Sequence, residues 1–309
     1  MAEINQGLPT EEKVLEQVDK EAIPPMGFEV IKREFAKDKV AITALIVFVT
    51  VLLVAFIGAL VVDHDAATRV DVFERFTPPG QNGYILGADD GGRDILSLLI
   101  IGTRNSVFIG FSVTIITTTI SIILGIMAGY YGGWVEDIMM RIVDFIIILP
   151  PIILIIVITQ IIRRFDAISL ILILSSIYWA GGVRLFRTVT LSEASLDYVS
   201  ASKTMGTPDW KIMFGEVMPN LSSIIITNLV LGLSGNIGIE TGLSFLGFGL
   251  PAATPSLGTL IAAANNPDVI QNKTWVWLPA VLVILVLMLS INYMGQAFQR
   301  AADSRQRRG

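Results

Sequence analysis

The sequence predicts an all-helical integral membrane protein with about six transmembrane helices, and three features support that prediction. Apolar residues make up 53% of the 309 residues and charged residues only 16%, and the mean hydropathy is +0.68. The charges are gathered into a few segments separated by long neutral runs, as expected in lipid, because a charge at the bilayer centre costs about 2.5–3.5 kcal/mol or more. The neutral runs are too long for barrel strands and show no alternation of apolar and polar residues.

The neutral runs also give the positions of the spans. A bilayer core of about 30 Å takes about 20 residues of helix. Runs of roughly this length predict spans at residues 40–62, 106–130, 145–162, 167–183, 221–239 and 275–294. Residues 63–104 then form a polar loop between the first two spans, and residues 184–220 form a long loop between the fourth and fifth. Residues 40–309 are therefore expected to form one transmembrane domain.

Residues 1–39 predict a polar leader on the inner side, ending in an interfacial amphipathic helix over residues 28–39. With the N-terminus inside, fifteen of the 22 lysines and arginines fall on inner segments and seven on outer ones. Inner segments of membrane proteins carry an excess of positive charge. Both termini are therefore expected in the cytoplasm and residues 63–104 outside, although Arg163 and Arg164 in an outer loop are an exception.

Composition excludes several classes of function. A net charge of −5 without a basic face argues against nucleic-acid binding. There is no cysteine, and His64 is the only histidine, so no metal site built from these ligands is predicted. A Walker A motif is absent, because Lys203 and Thr204 lack the preceding glycines. The motifs of membrane hydrolases are also absent. The chain is therefore expected to be no enzyme and to bind no cofactor itself.

The loop between the fourth and fifth predicted spans is the most informative segment. Residues 196–205 predict a short helix that stops at Gly206, a residue able to adopt positive φ. Thr207 is then a suitable N-cap for a second short helix. Pro208 suits its first position, and Asp209 favours the positive end of its dipole.

The second short helix carries Trp210, Ile212, Met213 and Phe214, and Pro219 is expected to end it before the fifth span. Two short helices with exposed aromatic and methionine side chains form an apolar knob on the inner side of the membrane. Such knobs usually pack into a groove on a partner. The sequence therefore predicts a protein-docking site here.

This loop resembles the EAA loop of bacterial ABC importer permeases, whose pattern is Glu-Ala-Ala, three residues, Gly, nine residues, Ile-x-Leu-Pro. Ala201, Gly206 and Pro219 match the pattern. The residues that replace Glu, the second Ala, Ile and Leu are Ser200, Ser202, Glu216 and Met218. The resemblance implies that the loop docks into an ATP-hydrolysing subunit and couples its closure to movement of the spans. The residues assigned to this docking are Ala201, Gly206, Thr207, Pro208, Asp209, Trp210, Phe214 and Pro219.

Three further segments, residues 86–106, 128–144 and 240–258, are similar to the dipeptide, oligopeptide and nickel branch of these permeases. They include the runs Leu-Gly-Ala-Asp-Asp-Gly-Gly-Arg-Asp, Ala-Gly-Tyr-Tyr-Gly-Gly-Trp and Leu-Ser-Phe-Leu-Gly-Phe-Gly-Leu-Pro. The resemblance extends from about residue 35 to residue 302 and is nearest to the oligopeptide members. It implies the six-helix type I importer permease fold, with an extracytoplasmic loop between helices 1 and 2, in the bacterial cytoplasmic membrane.

The function that the resemblance implies is that of a permease subunit in an ATP-driven importer of oligopeptides or dipeptides. A nickel or nickel-chelate importer is the alternative. The implied partners are a homologous second permease, two ATPase subunits that bind ATP and Mg²⁺, an extracytoplasmic substrate-binding protein and membrane lipid. An ion-coupled secondary transporter is a remote alternative, because it predicts mid-span charges and inverted repeats, and neither is evident.

Candidates for the transport pathway or its gate are Pro150, Pro151, Gly238, Glu240 and Gly242. The two prolines lie inside the third span and should kink or break it. A carboxylate at the membrane is a functional candidate. However, the predicted place of Glu240 at a span end favours an ion pair or a helix-end role.

Two other pairs of residues complete the set. Arg93 and Asp94, in the outer loop, either dock an external receptor or tie the loop together. Gly125 and Gly129 form a small-xxx-small pattern that lets two helices approach closely. Ordinary packing within the bundle is the favoured interpretation of such glycines.

Overall fold

The computed structural model describes residue 35, residues 38–162 and residues 165–306, and these form helices joined by turns. The helices are, in chain order, α1 (Lys39–Val61), α2 (His64–Thr68), α3 (Ile95–Tyr131), α4 (Gly133–Ile148), α5 (Pro151–Ile161), α6 (Ala167–Ala194), α7 (Asp197–Thr204), α8 (Asp209–Lys211), α9 (Met218–Asn220), α10 (Ser222–Phe245), α11 (Leu257–Ile261), α12 (Pro267–Asn272) and α13 (Leu278–Gln306). A π-helical turn spans Ile212–Val217, and 3₁₀ turns span Val72–Glu74, Ala262–Asn265 and Thr274–Val276.

Five helices are long and apolar enough to cross a membrane, namely α1, α3, α6, α10 and α13. The pair α4 and α5 gives a sixth span when counted as one, although its halves are bent by 79°. The described residues therefore contain five or six membrane-spanning elements, and the prediction of an all-helical membrane fold is confirmed.

The third predicted span, residues 145–162, contains the last turn of α4, the break after it and all of α5. α4 begins upstream at Gly133, where the charged residues of an amphipathic helix hid it from a search for apolar runs. Pro150 precedes α5 and Pro151 is its first residue. Proline has no N–H to donate and clashes with the carbonyl four residues before it. The chain therefore leaves the helix at residues 149–150, and the predicted kink is a break.

The second span begins earlier than predicted, at Ile95 instead of residue 106. Asp94 caps this helix by accepting hydrogen bonds from Ser97 N at 3.0 Å and Ser97 Oγ at 2.6 Å. An N-cap satisfies backbone donors that the first turn leaves unpaired. Residues 95–104 are therefore helix and not part of the outer loop, because a capped polar turn extends the apolar run.

The fourth span is also longer than predicted, since α6 continues to Ala194 and the long loop begins after it. Arg184 and Arg187 on this extension form ion pairs with Asp144 and Glu136 of α4. The extension is thus stabilised by polar contacts with a neighbouring helix, which hydropathy does not detect. The fifth and sixth spans, α10 and α13, likewise run past the predicted ends at residues 239 and 294.

The glycine pattern of α3 allows α6 to pack closely against it. A Cβ atom on Gly125 would lie 2.6 Å from Phe186 Cβ, and one on Gly129 would lie 2.7 Å from both Arg187 O and Thr190 Cβ. Contacts this short are sterically forbidden, so only glycine permits the approach. These two glycines therefore serve packing within the bundle.

Because successive spans run in opposite directions, the connections gather at two ends. Residues 195–221 lie at the end of the bundle that we call the loop end, and residues 62–94 and 246–277 lie at the far end. At the loop end Arg300 of α13 pairs with Asp38, at 2.6 Å, and Asp38 caps α1. The predicted leader lies outside the described residues except for residues 35, 38 and 39, and Arg163 and Arg164 lie outside them as well.

Candidate functional site

The predicted docking loop forms two short helices joined by a Schellman turn. Gly206 has φ of +82°. The N–H of Gly206 donates to Lys203 O and that of Thr207 donates to Ser202 O, each at 3.0 Å. This pair of bonds is the Schellman pattern that ends a helix at a glycine. Gly206 therefore has the conformation that the sequence predicts.

The start of the second short helix differs from the prediction. Pro208, with extended backbone angles, is its N-cap, and the helix receives no side-chain cap. Thr207 is not the N-cap, because its N–H closes the preceding Schellman turn. The helix that follows has a wide turn, in which Met218 N donates to Met213 O, five residues back.

Pro219 does not separate this helix from the fifth span as predicted. It lies within α9, which leads through Leu221 directly to α10. Proline cannot make the usual bond to the residue four positions earlier. The π-helical turn just before it accommodates that loss, and such turns are frequent at functional sites. The chain therefore runs almost continuously from α8 to α10.

The surface of the docking loop is partly apolar and solvent-exposed. Met205 and Trp210 are 77% and 61% exposed. Of the residues assigned to docking, Thr207 and Phe214 are half-buried, and the exposed ones are Ala201, Gly206, Pro208, Asp209, Trp210 and Pro219. All of them belong to residues 201–219, at the loop end.

Beneath these residues lies an apolar core that the sequence interpretation placed on the surface. Ile212 and Met213 are buried, and they pack with Val199, Val217 and Ile126 of α3. The side chains that remain exposed therefore stand on a packed base. Periodicity could not separate the two sets, because the π-helical turn shifts the side chains that follow it.

Polar contacts connect the docking loop to the spans. Tyr130 Oη donates to Asp209 Oδ1 at 2.8 Å, and Lys203 Nζ lies 4.2 Å from the centre of the Tyr130 ring. On the other side Tyr198 Oη donates to Glu193 Oε1 at 2.9 Å and accepts from Asn220 Nδ2 at 3.0 Å. Burial raises the pKa of Tyr198 to about 12, against a lowering by the hydrogen bond from Asn220 and with a further increase from the hydrogen bond to Glu193. The phenol therefore stays protonated and continues to donate.

At the far end Glu240 is fully buried, with 0% of its surface exposed. Its Oε1 accepts from Ser244 Oγ at 2.8 Å, and Thr241 Oγ1 lies 3.4 Å from Oε2. The predicted place at a span end was wrong, because α10 continues to Phe245 and residues 249–265 fold back over its end. An ion pair to Glu240 is not found among the described residues.

The other pathway candidates differ from Glu240. A Cβ on Gly238 would lie 3.1 Å from Met288 Cε, so this glycine is in contact with α13. Gly242 is exposed, and a Cβ there would meet no described atom within 4 Å. Pro150 and Pro151 lie at the break between α4 and α5. The structure thus separates the loop-end residues from Glu240, which is about 30 Å along the helix from Asn220.

Arg93 and Asp94 make contacts within the outer loop. Arg93 Nε donates to Asp89 Oδ2 at 2.8 Å, and Asp89 is buried. Asp94 caps α3. Both side chains are engaged in tying the loop together, and their docking of a receptor remains a prediction.

Sequence reasoning missed two functional candidates at the loop end. Tyr130 lies in the last turn of α3 and connects it to Asp209, although 79 residues separate them in sequence. Ser202 Oγ donates to Glu216 Oε2 at 2.7 Å. The signal for the second contact was visible, since Ser202 and Glu216 both depart from the EAA pattern.

Comparison with known proteins agrees with this architecture. A family model described as the inner membrane component of binding-protein-dependent transport systems matches residues 121–308. The chain is 49% identical over 276 residues to the oligopeptide transport system permease protein OppC of Lactococcus lactis subsp. lactis (strain IL1403), covering 89% of this chain and 94% of the relative.

More distant relatives match over similar lengths. The dipeptide transport system permease protein DppC of Haemophilus influenzae is 33% identical over 274 residues, covering 87% of this chain and 92% of the relative. The OppC protein of Mycobacterium tuberculosis (strain H37Rv) is 32% identical over 282 residues, covering 90% and 94%. The chain therefore belongs to the family of inner membrane components of binding-protein-dependent transport systems, as a permease subunit of an ABC importer whose ATPase activity lies in separate subunits.

Proposed function

We propose that this chain is the permease subunit of an ATP-driven peptide importer in the bacterial cytoplasmic membrane, and that residues 195–221 dock its ATPase subunit. Peptide cargo is favoured because the relatives named above are called oligopeptide and dipeptide permeases. In this orientation the loop end faces the cytoplasm, where ATP is available, and both termini lie on that side.

The observation that carries the docking proposal is the exposed corner formed by Met205, Pro208 and Trp210. A large apolar side chain left in water is unfavourable, and burial of apolar area stabilises an interface by about 25 cal/mol per Å². Tryptophan is also enriched among residues that dominate binding energy. Because this corner stands on the buried Ile212 and Met213, it is preorganised to enter a groove.

The proposed complex contains a second permease subunit as well as the ATPase subunits. One copy of this chain makes half of a pathway, and a homologous second permease supplies the other half. Gly235 and Gly242, seven residues apart on α10, are exposed, and no described atom lies within 4 Å of a Cβ built on either. A helix face of this kind suits close approach by another helix. Two ATPase subunits bind ATP and Mg²⁺, and an extracytoplasmic binding protein delivers peptide at the far end.

Transmission from the docking loop to the pathway would use α3 and α10. Tyr130 joins α3 to the loop, and α10 begins where the loop ends. Further along, Asn236 Nδ2 of α10 donates to Thr114 Oγ1 of α3 at 2.8 Å in a buried contact. Movement of the loop would therefore displace both helices together. The far end of α10 carries Glu240 and Gly242, the candidates for the gate.

The test is a comparison of two exposed tryptophans at the loop end, Trp210 and Trp134. The chain is co-expressed with its partner subunits and the complex is reconstituted in vesicles. A radiolabelled mixture of dipeptides and oligopeptides is added to the solution outside the vesicles. We expect Trp210→Ala to lower peptide uptake per ATP hydrolysed about tenfold, because it removes the docking anchor. Trp134→Ala should leave that ratio unchanged. Equal ratios in both variants and the parent would contradict docking by this loop.

A further inference from the structure

The hydrogen bond between Ser202 and Glu216 joins the two halves of the docking loop. Ser202 lies on the inner face of α7 and is 8% exposed, whereas its neighbours Ser200 and Ala201 are exposed. Glu216 is half-buried in the π-helical turn. At 2.7 Å, the contact has the length expected of a hydroxyl bound to a carboxylate, which is among the stronger hydrogen bonds in proteins.

The pair spans the turn between the two short helices of the loop. α7 and α8 are joined through Met205–Pro208, with Gly206 in the left-handed region. Apolar contacts of Val199 and Val217 also hold the halves together, but such contacts have no preferred direction. The bond from Ser202 to Glu216 does have a direction, and it therefore fixes how α7 is rotated against the helix that leads to α10.

Glu216 is held at its backbone as well as at its side chain. Its carbonyl oxygen accepts a hydrogen bond from Asn220 Nδ2 at 3.2 Å, and the same amide donates to Tyr198 Oη of α7 at 3.0 Å. The segment from Glu216 to Asn220 is therefore tied to α7 at two points. It leads directly into α10.

The two residues are also a matched pair of departures from the EAA pattern, which has alanine and isoleucine at these positions. An alanine facing an isoleucine would make an apolar contact of similar position. A serine facing an isoleucine, or an alanine facing a glutamate, would leave one polar group in a partly buried place without a partner, which is unfavourable. Each of the two side chains therefore has this hydrogen-bond partner only when the other residue is present.

We propose that Ser202 and Glu216 form a brace that makes α7 and the start of α10 move as one body, so that displacement of α7 by the ATPase reaches the spans. The brace rests on the proposed function, because it acts only if this loop is the docking site. Both are positioning residues, and neither touches cargo or nucleotide.

The test measures peptide uptake per ATP hydrolysed in the reconstituted complex, together with co-purification of the ATPase subunit. We expect Ser202→Ala and Glu216→Ile each to lower the ratio about threefold to tenfold, because each change leaves the remaining polar side chain without its hydrogen-bond partner. The double variant should recover to within about twofold of the parent, because the Ala–Ile contact replaces the bond. Ser192→Ala is the control, because Ser192 is an exposed serine of α6 outside residues 195–221, and it should change nothing.

The outcomes separate the brace from the proposed function. If Trp210→Ala lowers the ratio but neither Ser202→Ala nor Glu216→Ile does, the loop docks the ATPase and the brace is refuted. A double variant at least as impaired as the two single changes combined would also refute it. If Trp210→Ala has no effect, the docking proposal itself fails. Co-purification at the level of the parent ensures that loss of folding is not the cause.

Discussion

Tyr130 Oη donates a hydrogen bond to Asp209 Oδ1 across 2.8 Å, and this contact joins the end of α3 to the start of α8. α3 is the longest described helix, with 37 residues, and it reaches from the far end of the bundle to the loop end. A single phenol thus connects a full-length span to the exposed corner of the docking loop. This hydrogen bond is therefore a direct contact between the loop and a membrane-spanning helix.

Removal of that hydroxyl should weaken coupling without loss of the fold. Tyr130→Phe keeps the ring under Lys203 but deprives Asp209 of its donor. We expect uptake per ATP hydrolysed to fall about threefold, since a hydrogen bond to a charged group is worth about 1.5–3 kcal/mol and part of the packing remains. The measurement is transport and ATPase activity in the same vesicles. Tyr131→Phe, on an exposed neighbour, is the control, and equal losses in both variants would contradict a specific role for Tyr130.

The close packing of α3 on α6 predicts a strong size dependence at Gly129. A Cβ there would lie 2.7 Å from Arg187 O and Thr190 Cβ. We therefore expect Gly129→Ala to lower the free energy of unfolding by about 1–3 kcal/mol. Gly181→Ala, on α6, is the control, because nothing described lies within 4 Å of its Cβ position. Thermal unfolding in detergent measures both, and a midpoint for Gly129→Ala equal to that of the parent would show that the helices are farther apart.

Glu240 should hold the far end of α10 in place. Glu240→Ala leaves Ser244 Oγ without its acceptor at 2.8 Å and opens space beneath residues 246–261. The expected result is faster amide hydrogen exchange in residues 246–261, with no change in residues 196–221. Mass spectrometry of the purified complex measures both segments at once. Unchanged exchange in residues 246–261 would mean that the carboxylate does not anchor this segment.

The cap of α1 predicts a pH-dependent contribution to stability. Hydrogen bonds from the backbone of Ala41, followed by that from Arg300, lower the pKa of Asp38 below its usual value of 3.8. A lowered pKa favours the folded state above the unfolded value, and this contribution is lost as the pH falls through the folded value. Asp38→Asn should therefore be less stable than the parent at about pH 7, and the difference should shrink towards about pH 3. Melting temperatures of both proteins across that range provide the test, and a constant difference would contradict it.

The helical nature of the spans and the position of the loop between α6 and α10 could be predicted from the sequence, because both depend on local composition. Gly206 was also predictable, since only a residue free of a Cβ readily takes its φ of +82°. The helix extensions at Ile95 and Ala194 were missed because capping and ion pairs, which are tertiary or polar features, set those ends.

Burial at the candidate sites could not be predicted in the same way. Glu240 is buried because residues 249–265, which follow α10 in the chain, fold back over its end, and no local pattern encodes that return. The contact of Ser202 with Glu216 joins residues 14 apart across a left-handed turn. Ile212 and Met213 face the core because Val199 of α7 and Ile126 of α3 pack against them. Each case depends on where distant backbone lies.

The central claim is that the exposed corner of residues 195–221 contacts an ATPase subunit, and disulfide or maleimide cross-linking tests it most directly. The chain has no cysteine, so Met205→Cys places a single thiol at a side chain that is 77% exposed. The complex is assembled in membranes from partner subunits without cysteine, apart from one cysteine placed in the groove of the ATPase subunit. We predict a cross-link from Met205→Cys to the ATPase subunit and none from Val61→Cys at the far end. A cross-link from Val61→Cys alone, or none from Met205→Cys in an active complex, would contradict the account.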